Sequence, residues 1–206
     1  EPKIVRRKYK RTNSQNGELK IVVTGHYYSG KTSIIYQLVT GELPSVFYIA
    51  PIPIEHSTKY KNCINLNVWD TAGSEDWLSM NVTSFHGSDA ILWVCSYDNE
   101  NAYSDFKNLF QNYISSYSQN VPVFLVINKS DLDKSKKKLS DDDVEKLRND
   151  LFFEDSFIVS AKNHDQIIEV FDSVINTLLN LFPLSFLAKN ENDDSSQNTD
   201  TRCQIQ

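Results

Sequence analysis

The stretch GHYYSGKT at residues 25–32 fits the pattern G-x-x-x-x-G-K-[ST]. It stands between a strand-like run, Leu19–Thr24, and a helix-like segment, Lys31–Val39, which is the context that this pattern requires. In such a loop, successive backbone N–H groups point at phosphate oxygens, at the positive end of the following helix. The sequence therefore predicts a phosphate-binding loop, with Lys31 between the β- and γ-phosphates and the Thr32 hydroxyl on Mg²⁺. The nucleotide-binding residues predicted in and beside this loop are Gly25, Tyr28, Ser29, Gly30, Lys31, Thr32 and Ser33.

The rest of the chain alternates between strand-like and helix-like segments. Apolar residues alternate with asparagines over Ile64–Val68, as on a strand with one buried face. Ala90–Cys95 and Val121–Ile127 are continuous apolar runs, which are typical of strands buried on both faces of a parallel sheet. Helices are predicted over Asn101–Ser118, from Ser140 onward and over Ile167–Leu179, and a last short strand over Phe157–Val159. This alternation predicts an α/β fold with function in the loops at the carboxyl ends of the strands.

The composition is that of one globular domain between two polar ends. The chain has 206 residues, a net charge of −6 and 12% aromatic residues, which is enough for a core. Six of the first twelve residues are basic, so we expect a basic arm over residues 1–17, and the Asn-, Asp- and Ser-rich residues 185–206 predict a disordered tail. The domain over residues 18–184 is acidic, which argues against nucleic-acid binding. No apolar run is long enough for a membrane-spanning helix.

Three further motifs follow the phosphate loop, each just after a predicted strand. They are Asp70-Thr71-Ala72-Gly73, Asn128-Lys129-Ser130-Asp131 and Ser160-Ala161-Lys162. Together with the phosphate loop, and in this order, they resemble the nucleotide-binding motifs of the Ras superfamily of small GTPases. The resemblance covers about Leu19–Leu181. It implies the Ras-like P-loop fold, a three-layer α/β domain with a mostly parallel six-stranded sheet flanked by helices.

Within this superfamily the chain most resembles the Rab branch. The reasons are Trp69 directly before Asp70, the Ser79-Met80 pair, and the sequence of Gly87–Ile91. Ser74-Glu75-Asp76 has a Rho-like character, although no large extra helix of the Rho kind follows Asp131.

The resemblance assigns the last two motifs to the guanine base. Asp131 would accept hydrogen bonds from the N1–H and N2–H₂ groups of guanine. Adenine offers neither, so a buried Asp131 would be left unpaired and ATP rejected by about 10⁴-fold. Asn128 would hold the loop, the Lys129 stem would lie along the base, and the Ala161 N–H would donate to guanine O6. Ser160 and Lys162 would shape that last loop.

The resemblance assigns the first of the three motifs to the metal and the γ-phosphate. Asp70 would reach Mg²⁺ through a water molecule, and the Gly73 N–H would contact the γ-phosphate. Thr32 would be the direct protein ligand of the metal.

Three departures from the family pattern bear on hydrolysis. The glutamine that usually orients the attacking water is Ser74 here. The predicted catalytic residues are therefore Lys31 and Ser74, the second in a degenerate form. Tyr27 and Tyr28 replace small residues, and a phenol there would crowd the γ-phosphate and block an arginine finger, which is worth about 10³–10⁵ in rate where it operates. Pro53 aligns with the threonine of the first switch and cannot donate to the γ-phosphate. Together these departures predict weak hydrolysis and a blunted switch.

The last four residues, Cys203-Gln204-Ile205-Gln206, fit a C-a-a-X prenylation motif, although Gln204 is not aliphatic. An accidental cysteine in a disordered tail is the alternative. A single lipid on Cys203 would give only marginal binding to cytoplasmic membrane faces, so a second signal would have to come from the basic arm or a partner protein. Without the lipid we expect a cytoplasmic protein. The resemblance also implies an exchange factor, a GTPase-activating protein and effectors that bind through residues 44–58 and 73–82. We expect a monomer.

The sequence thus predicts an atypical Rab-like GTPase that binds GTP and GDP with Mg²⁺, hydrolyses GTP slowly and acts in membrane trafficking or signalling. One alternative is a scaffold that holds nucleotide, or none, without cycling; hydrolysis of added GTP would exclude it. Another is a P-loop kinase or ATPase, which Asp131 disfavours and which competition by excess ATP would revive.

Overall fold

The computed structural model describes residues 18–45, 54–60, 64–71, 73, 82–109, 121–149 and 153–182. Within these ranges lie six strands: β1 Glu18–Gly25, β2 Ile54–Tyr60, β3 Ile64–Asp70, β4 Ala90–Ser96, β5 Val123–Asn128 and β6 Asp155–Ile158. The same ranges contain four α-helices: α1 Lys31–Thr40, α2 Ala102–Leu109, α3 Asp141–Arg148 and α4 His164–Leu181. Two short 3₁₀ helices cover Val82–Phe85 and Lys134–Lys136. The α/β fold with a six-stranded sheet is confirmed.

The six strands form one sheet in the order β2-β3-β1-β4-β5-β6. Each neighbouring pair is parallel except β2 and β3, which are antiparallel. The chain moves from the central strand β1 to β3 on one side and then to β4 on the other. The strand order therefore reverses at the carboxyl end of β1, where ligands bind in open α/β sheets.

Hydrophobic cores cover both faces of the sheet. On one face, Ile34 and Ile35 of α1 and Phe171 of α4 pack against buried residues of β1 and β3. On the other face, Trp93 of β4 and Phe106 of α2 meet with ring centroids 5.4 Å apart. All residues of β4 and β5 are buried, as the continuous apolar runs predicted.

The element boundaries mostly follow the sequence pattern. Ser140 starts α3 with a capping box, in which its hydroxyl accepts the Asp143 N–H and the Asp143 carboxylate accepts the Ser140 N–H. The last strand lies at Asp155–Ile158, two residues earlier than the predicted start. The sequence pattern did not indicate β2, because Glu55, Ser57 and Lys59 make this edge strand polar.

Several predictions concern residues outside the described ranges. These are the basic arm at 1–17, the second half of the helix predicted over 101–118, the tail at 185–206, and positions Pro53, Ser74 and Cys203. Among the described residues, no helix combines the length and apolar character that crossing a bilayer requires.

Candidate functional site

The phosphate loop turns tightly between β1 and α1 because two of its residues lack side chains. Gly25 has φ +138° and Gly30 has φ +93°. A Cβ on Gly25 would collide with the Val94 carbonyl of β4, and one on Gly30 would collide with the Asn128 amide. Both glycines are therefore required by the backbone and by close neighbours, as the motif predicts. Tyr28 also has a positive φ, of 58°, in the same loop.

Lys31 is folded back over the loop that precedes it. Its Nζ donates to the carbonyls of Gly25 at 3.2 Å and His26 at 2.8 Å. Burial lowers the pKa of Lys31 to about 8, although the Asp70 carboxylate opposes this shift. An ammonium group has three donors, so one remains beyond the two that the loop carbonyls accept. Lys31 is therefore a buried cation on the wall of the pocket, where an anionic ligand would stabilise its charge.

Thr32 and Asp70 form the pair of residues that the sequence assigned to the metal. The Thr32 hydroxyl donates to Asp70 Oδ2 at 2.6 Å. Asp70 Oδ1 is buried and has no hydrogen-bond partner among the described residues. Burial raises the pKa of Asp70, opposed by the Thr32 hydrogen bond and the Lys31 charge. A hydroxyl beside a carboxylate with one unused oxygen is a donor set that suits Mg²⁺, which prefers hard oxygen ligands. These residues fit a magnesium ion.

Gly73 lies at the phosphate end of the site. A Cβ there would come within 2.5 Å of Lys31 Nζ and 2.8 Å of the Tyr27 backbone nitrogen. This position therefore allows the Asp70–Gly73 segment to approach the phosphate loop closely. The predicted contact of the Gly73 N–H with a γ-phosphate stays a prediction.

Two tyrosines stand at the same end. Their ring centroids are 3.9 Å apart, and Tyr28 is 64% exposed. A hydrogen bond with Tyr28 raises the pKa of Tyr27. Both side chains line the pocket. The predicted crowding of a γ-phosphate by this aromatic pair stays a prediction.

Asn128 joins the two ends of the site. Its Nδ2 donates to the Ser29 carbonyl of the phosphate loop at 2.9 Å. Its Oδ1 accepts the Ala161 N–H, also at 2.9 Å. Both contacts are buried, so Asn128 holds the phosphate loop and the Ser160–Lys162 loop together. The Ala161 N–H that the sequence assigned to guanine O6 already has this partner.

Asp131 is held by the last motif. Its carboxylate accepts from Lys162 Nζ and from the Ser160 hydroxyl, both at 2.7 Å. These two hydrogen bonds, that of Lys162 first, lower the pKa of Asp131. The side chain is 32% exposed, so Asp131 is less buried than the sequence predicted. Its preference for guanine over adenine stays a prediction. A carboxylate has room for further donors beside these two.

Lys129 is fixed by a contact that the sequence did not reveal. The residue has φ +63°, and its Nζ lies 2.8 Å from Asp98 Oδ2, just after β4. Asp98 also accepts the Ser96 hydroxyl at 2.6 Å. Partial burial raises the pKa of Asp98, but the hydrogen bonds from Lys129 and Ser96 outweigh it and lower the pKa overall. The ion pair therefore orients the Lys129 stem along the pocket.

One pocket of about 350 Å³ connects these groups. The carbonyls of Gly25 and Ser29 accept hydrogen bonds from two residues that line the pocket, Lys31 and Asn128. The predicted site residues that line it are Tyr28, Gly30, Lys31, Thr32, Ser33, Asp70, Gly73, Asn128, Lys129, Asp131, Ser160, Ala161 and Lys162. The sequence motifs did not indicate Leu43, Pro44 and Leu132, which also line the pocket. These three residues belong to no motif. Leu43 and Pro44 reach the pocket only because of the turn after α1.

Comparison with known proteins agrees with this geometry. The family model for the Ras family matches residues 20–180. The chain is 28% identical over 170 residues to the Ypt/Rab-type GTPase YPT7 of Saccharomyces cerevisiae, covering 78% of this chain and 81% of that protein. It is 30% identical over 178 residues to the GTP-binding protein RHO4 of the same yeast, covering 82% and 61%. It is 32% identical over 142 residues to the Ras-like GTP-binding protein RHO1 of Entamoeba histolytica, covering 66% and 63%.

Proposed function

The chain belongs to the Ras family of small GTPases, whose members are GTP hydrolases, and we propose from this premise that it binds GTP and GDP with Mg²⁺ and hydrolyses GTP slowly. The observation that carries the proposal is the convergence of four motifs on one pocket. Lys31, Asp70, Asp131 and Lys162 each belong to a different one of these motifs, and all line the same cavity. A triphosphate at one end and a base at the other would use every one of them.

The proposed reaction is the in-line attack of water on the γ-phosphorus, with cleavage of its bond to the bridging oxygen of GDP. The Lys31 ammonium and the loop N–H groups would stabilise the negative charge that develops on the transferred group. Thr32 and Asp70 would hold Mg²⁺, which supplies charge neutralisation on the phosphates when bound. The protein groups do the positioning, since Asn128 fixes the phosphate loop relative to the base loop.

Slow turnover is proposed on two grounds. Ser74 is too short to orient water as a glutamine does. Tyr27 and Tyr28 line the pocket and, with a γ-phosphate bound beside Lys31, would obstruct an arginine supplied by another protein. These positions leave recognition of the nucleotide intact while weakening the groups that act only during hydrolysis.

A Rab-like role in membrane trafficking or signalling is also part of the proposal. Its support is the similarity to the Ypt/Rab-type GTPase YPT7 and the exposed edge strand β2 beside Trp69. The Lys20 ammonium lies 4.3 Å from the centroid of the Trp69 ring. Exchange factors, GTPase-activating proteins and effectors would bind through residues 44–58 and 73–82. Prenylation of Cys203 would add a membrane contact if Gln206 is the natural C-terminus.

The first experiment is to denature freshly purified protein and identify the released nucleotide by ion-exchange chromatography. Mostly GDP would mean that turnover occurs despite Ser74 and Tyr27. Mostly GTP would support the slow-hydrolysis proposal. An empty site, with no binding of added guanine nucleotide in the presence of Mg²⁺, would refute the proposal and favour a scaffold that does not cycle. Added ATP serves as the control, and it should not displace bound guanine nucleotide.

A further inference from the structure

His164, the first residue of α4, makes a contact with α1 that the nucleotide motifs do not explain. Its Nδ1 lies 3.1 Å from the Gln37 carbonyl oxygen, in the last turn of α1. A carbonyl can only accept, so Nδ1 carries the proton. The same carbonyl accepts the N–H of Gly41, also at 3.1 Å. His164 therefore binds the turn that ends α1.

This contact lies between two walls of the pocket. On one side, Ala161 and Lys162 directly precede α4 and line the pocket. On the other side, Gly41 has φ +73°, and a Cβ built there would lie 3.9 Å from His164 Cε1. After this left-handed turn the chain enters the pocket at Leu43 and Pro44. One imidazole thus joins the segment after α1 to the loop before α4.

We propose that His164 is a positioning residue for the nucleotide base, since it sets the distance between Leu43 and the Ala161–Lys162 loop. The inference rests on the proposed function, because it concerns the same pocket. Leu43 is 44% exposed, so its own packing holds it weakly and the His164 hydrogen bond supplies much of the restraint. Loss of that bond lets the two walls separate, and bound nucleotide dissociates faster.

The test measures dissociation of a fluorescent GDP and a fluorescent GTP analogue into excess unlabelled nucleotide, with Mg²⁺ present. His164→Ala should speed both rates about three- to tenfold, the value of one hydrogen bond. Both nucleotides should respond by the same factor, because the contact lies at the base end. His164→Asn should restore a rate close to that of the wild type, since its amide can donate to the Gln37 carbonyl.

The matched control is Arg148→Ala. This variant also removes a single hydrogen bond between two elements, from Arg148 Nε in α3 to the Ser156 hydroxyl in β6 at 2.9 Å, but neither residue lines the pocket. It should leave both dissociation rates unchanged. Unchanged rates in His164→Ala, or equal acceleration by His164→Ala and His164→Asn, would overturn the inference. Failure of the wild type to bind guanine nucleotide would instead refute the proposed function.

Discussion

The two ends of the pocket differ in how completely their polar groups are paired. At the base end, Asp131 has Lys162 and Ser160, and Asn128 has the Ser29 carbonyl and the Ala161 N–H. At the phosphate end, Asp70 Oδ1 has no hydrogen-bond partner in the part of the chain that the structure describes, and burial lowers the pKa of the Lys31 ammonium. The base end is organised by its own hydrogen bonds, whereas the phosphate end holds groups that a ligand would satisfy.

The two ends also differ in their sequence. Both ends keep motifs of the family, but the phosphate loop carries Tyr27 and Tyr28, and Ser74 stands in the sequence where the family has glutamine. We therefore expect recognition and hydrolysis to be separable in this chain. Interactions made only in the transition state can be lost without loss of binding.

The largest effect is expected at the base end, from Asp131→Asn. The variant loses an acceptor for the guanine N1–H, and two hydrogen bonds to a charged group correspond to about 10²–10⁴-fold in affinity. Its preference should move toward xanthine nucleotides, whose base presents the complementary group. Competition titrations with GDP and xanthosine diphosphate measure this change. Unchanged GDP preference would remove Asp131 from base recognition.

The next effect is expected at the phosphate end, from Tyr27→Gly combined with Ser74→Gln. The pair of changes removes the crowding by Tyr27 and restores a side chain that can orient water, so single-turnover GTP hydrolysis should rise about 10–100-fold. GDP affinity should stay within about threefold, because the base contacts are untouched. Ser74→Ala with Tyr27→Gly is the control. A rate equal to that of the control would show that the residue at position 74 does not limit hydrolysis, and a control rate equal to that of the wild type would show the same for Tyr27.

A smaller effect comes from the pKa of Lys31, which burial lowers to about 8. Bound phosphate favours the ammonium form and raises this pKa, so binding must take up protons when the pH is near or above 8. We expect uptake of about half a proton at pH 8, and affinity that falls about tenfold per pH unit above it. Calorimetry in two buffers of different ionisation enthalpy gives the proton count. At pH 6.5 we expect no proton uptake, because Lys31 is already protonated. The absence of proton uptake at pH 8 as well would contradict the lowered pKa.

The smallest effect on the site is expected from Ser140→Ala, which removes the capping box of α3. Loss of the cap should lower the free energy of unfolding by about 1 kcal/mol. Nucleotide dissociation should not change, since Ser140 does not line the pocket. Urea unfolding and the dissociation assay together test this separation of stability from recognition. Faster dissociation in this variant would show that the two ends depend on the distant surface helix.

The fold was predictable where burial and local rules agree. The apolar runs of β4 and β5, the phosphate loop and the Ser140 cap all act through neighbours in sequence or through complete burial. The sequence did not predict strand β2, because a strand at the edge of a sheet can be polar and still form backbone hydrogen bonds with its neighbour.

The candidate site was predictable only in part, for a related reason. Motif residues could be named because their chemistry demands a residue type at a fixed spacing. The fold brings together pairs of residues that are distant in the sequence. Examples are Asp98 with Lys129, and Asp105 with His26 at 3.7 Å. Leu43 lines the pocket through the direction of the turn at Gly41, which no spacing rule encodes.

The double hydrogen bond of Asn128 has a thermodynamic consequence. A single amide group orders the phosphate loop through Ser29 and the base loop through Ala161. Ordering either loop therefore also favours the ordered form of the other. Guanosine and pyrophosphate, supplied as separate molecules, should each bind more tightly when the other is present. The affinity of the intact nucleotide then includes this cooperativity in addition to the effect of the covalent link.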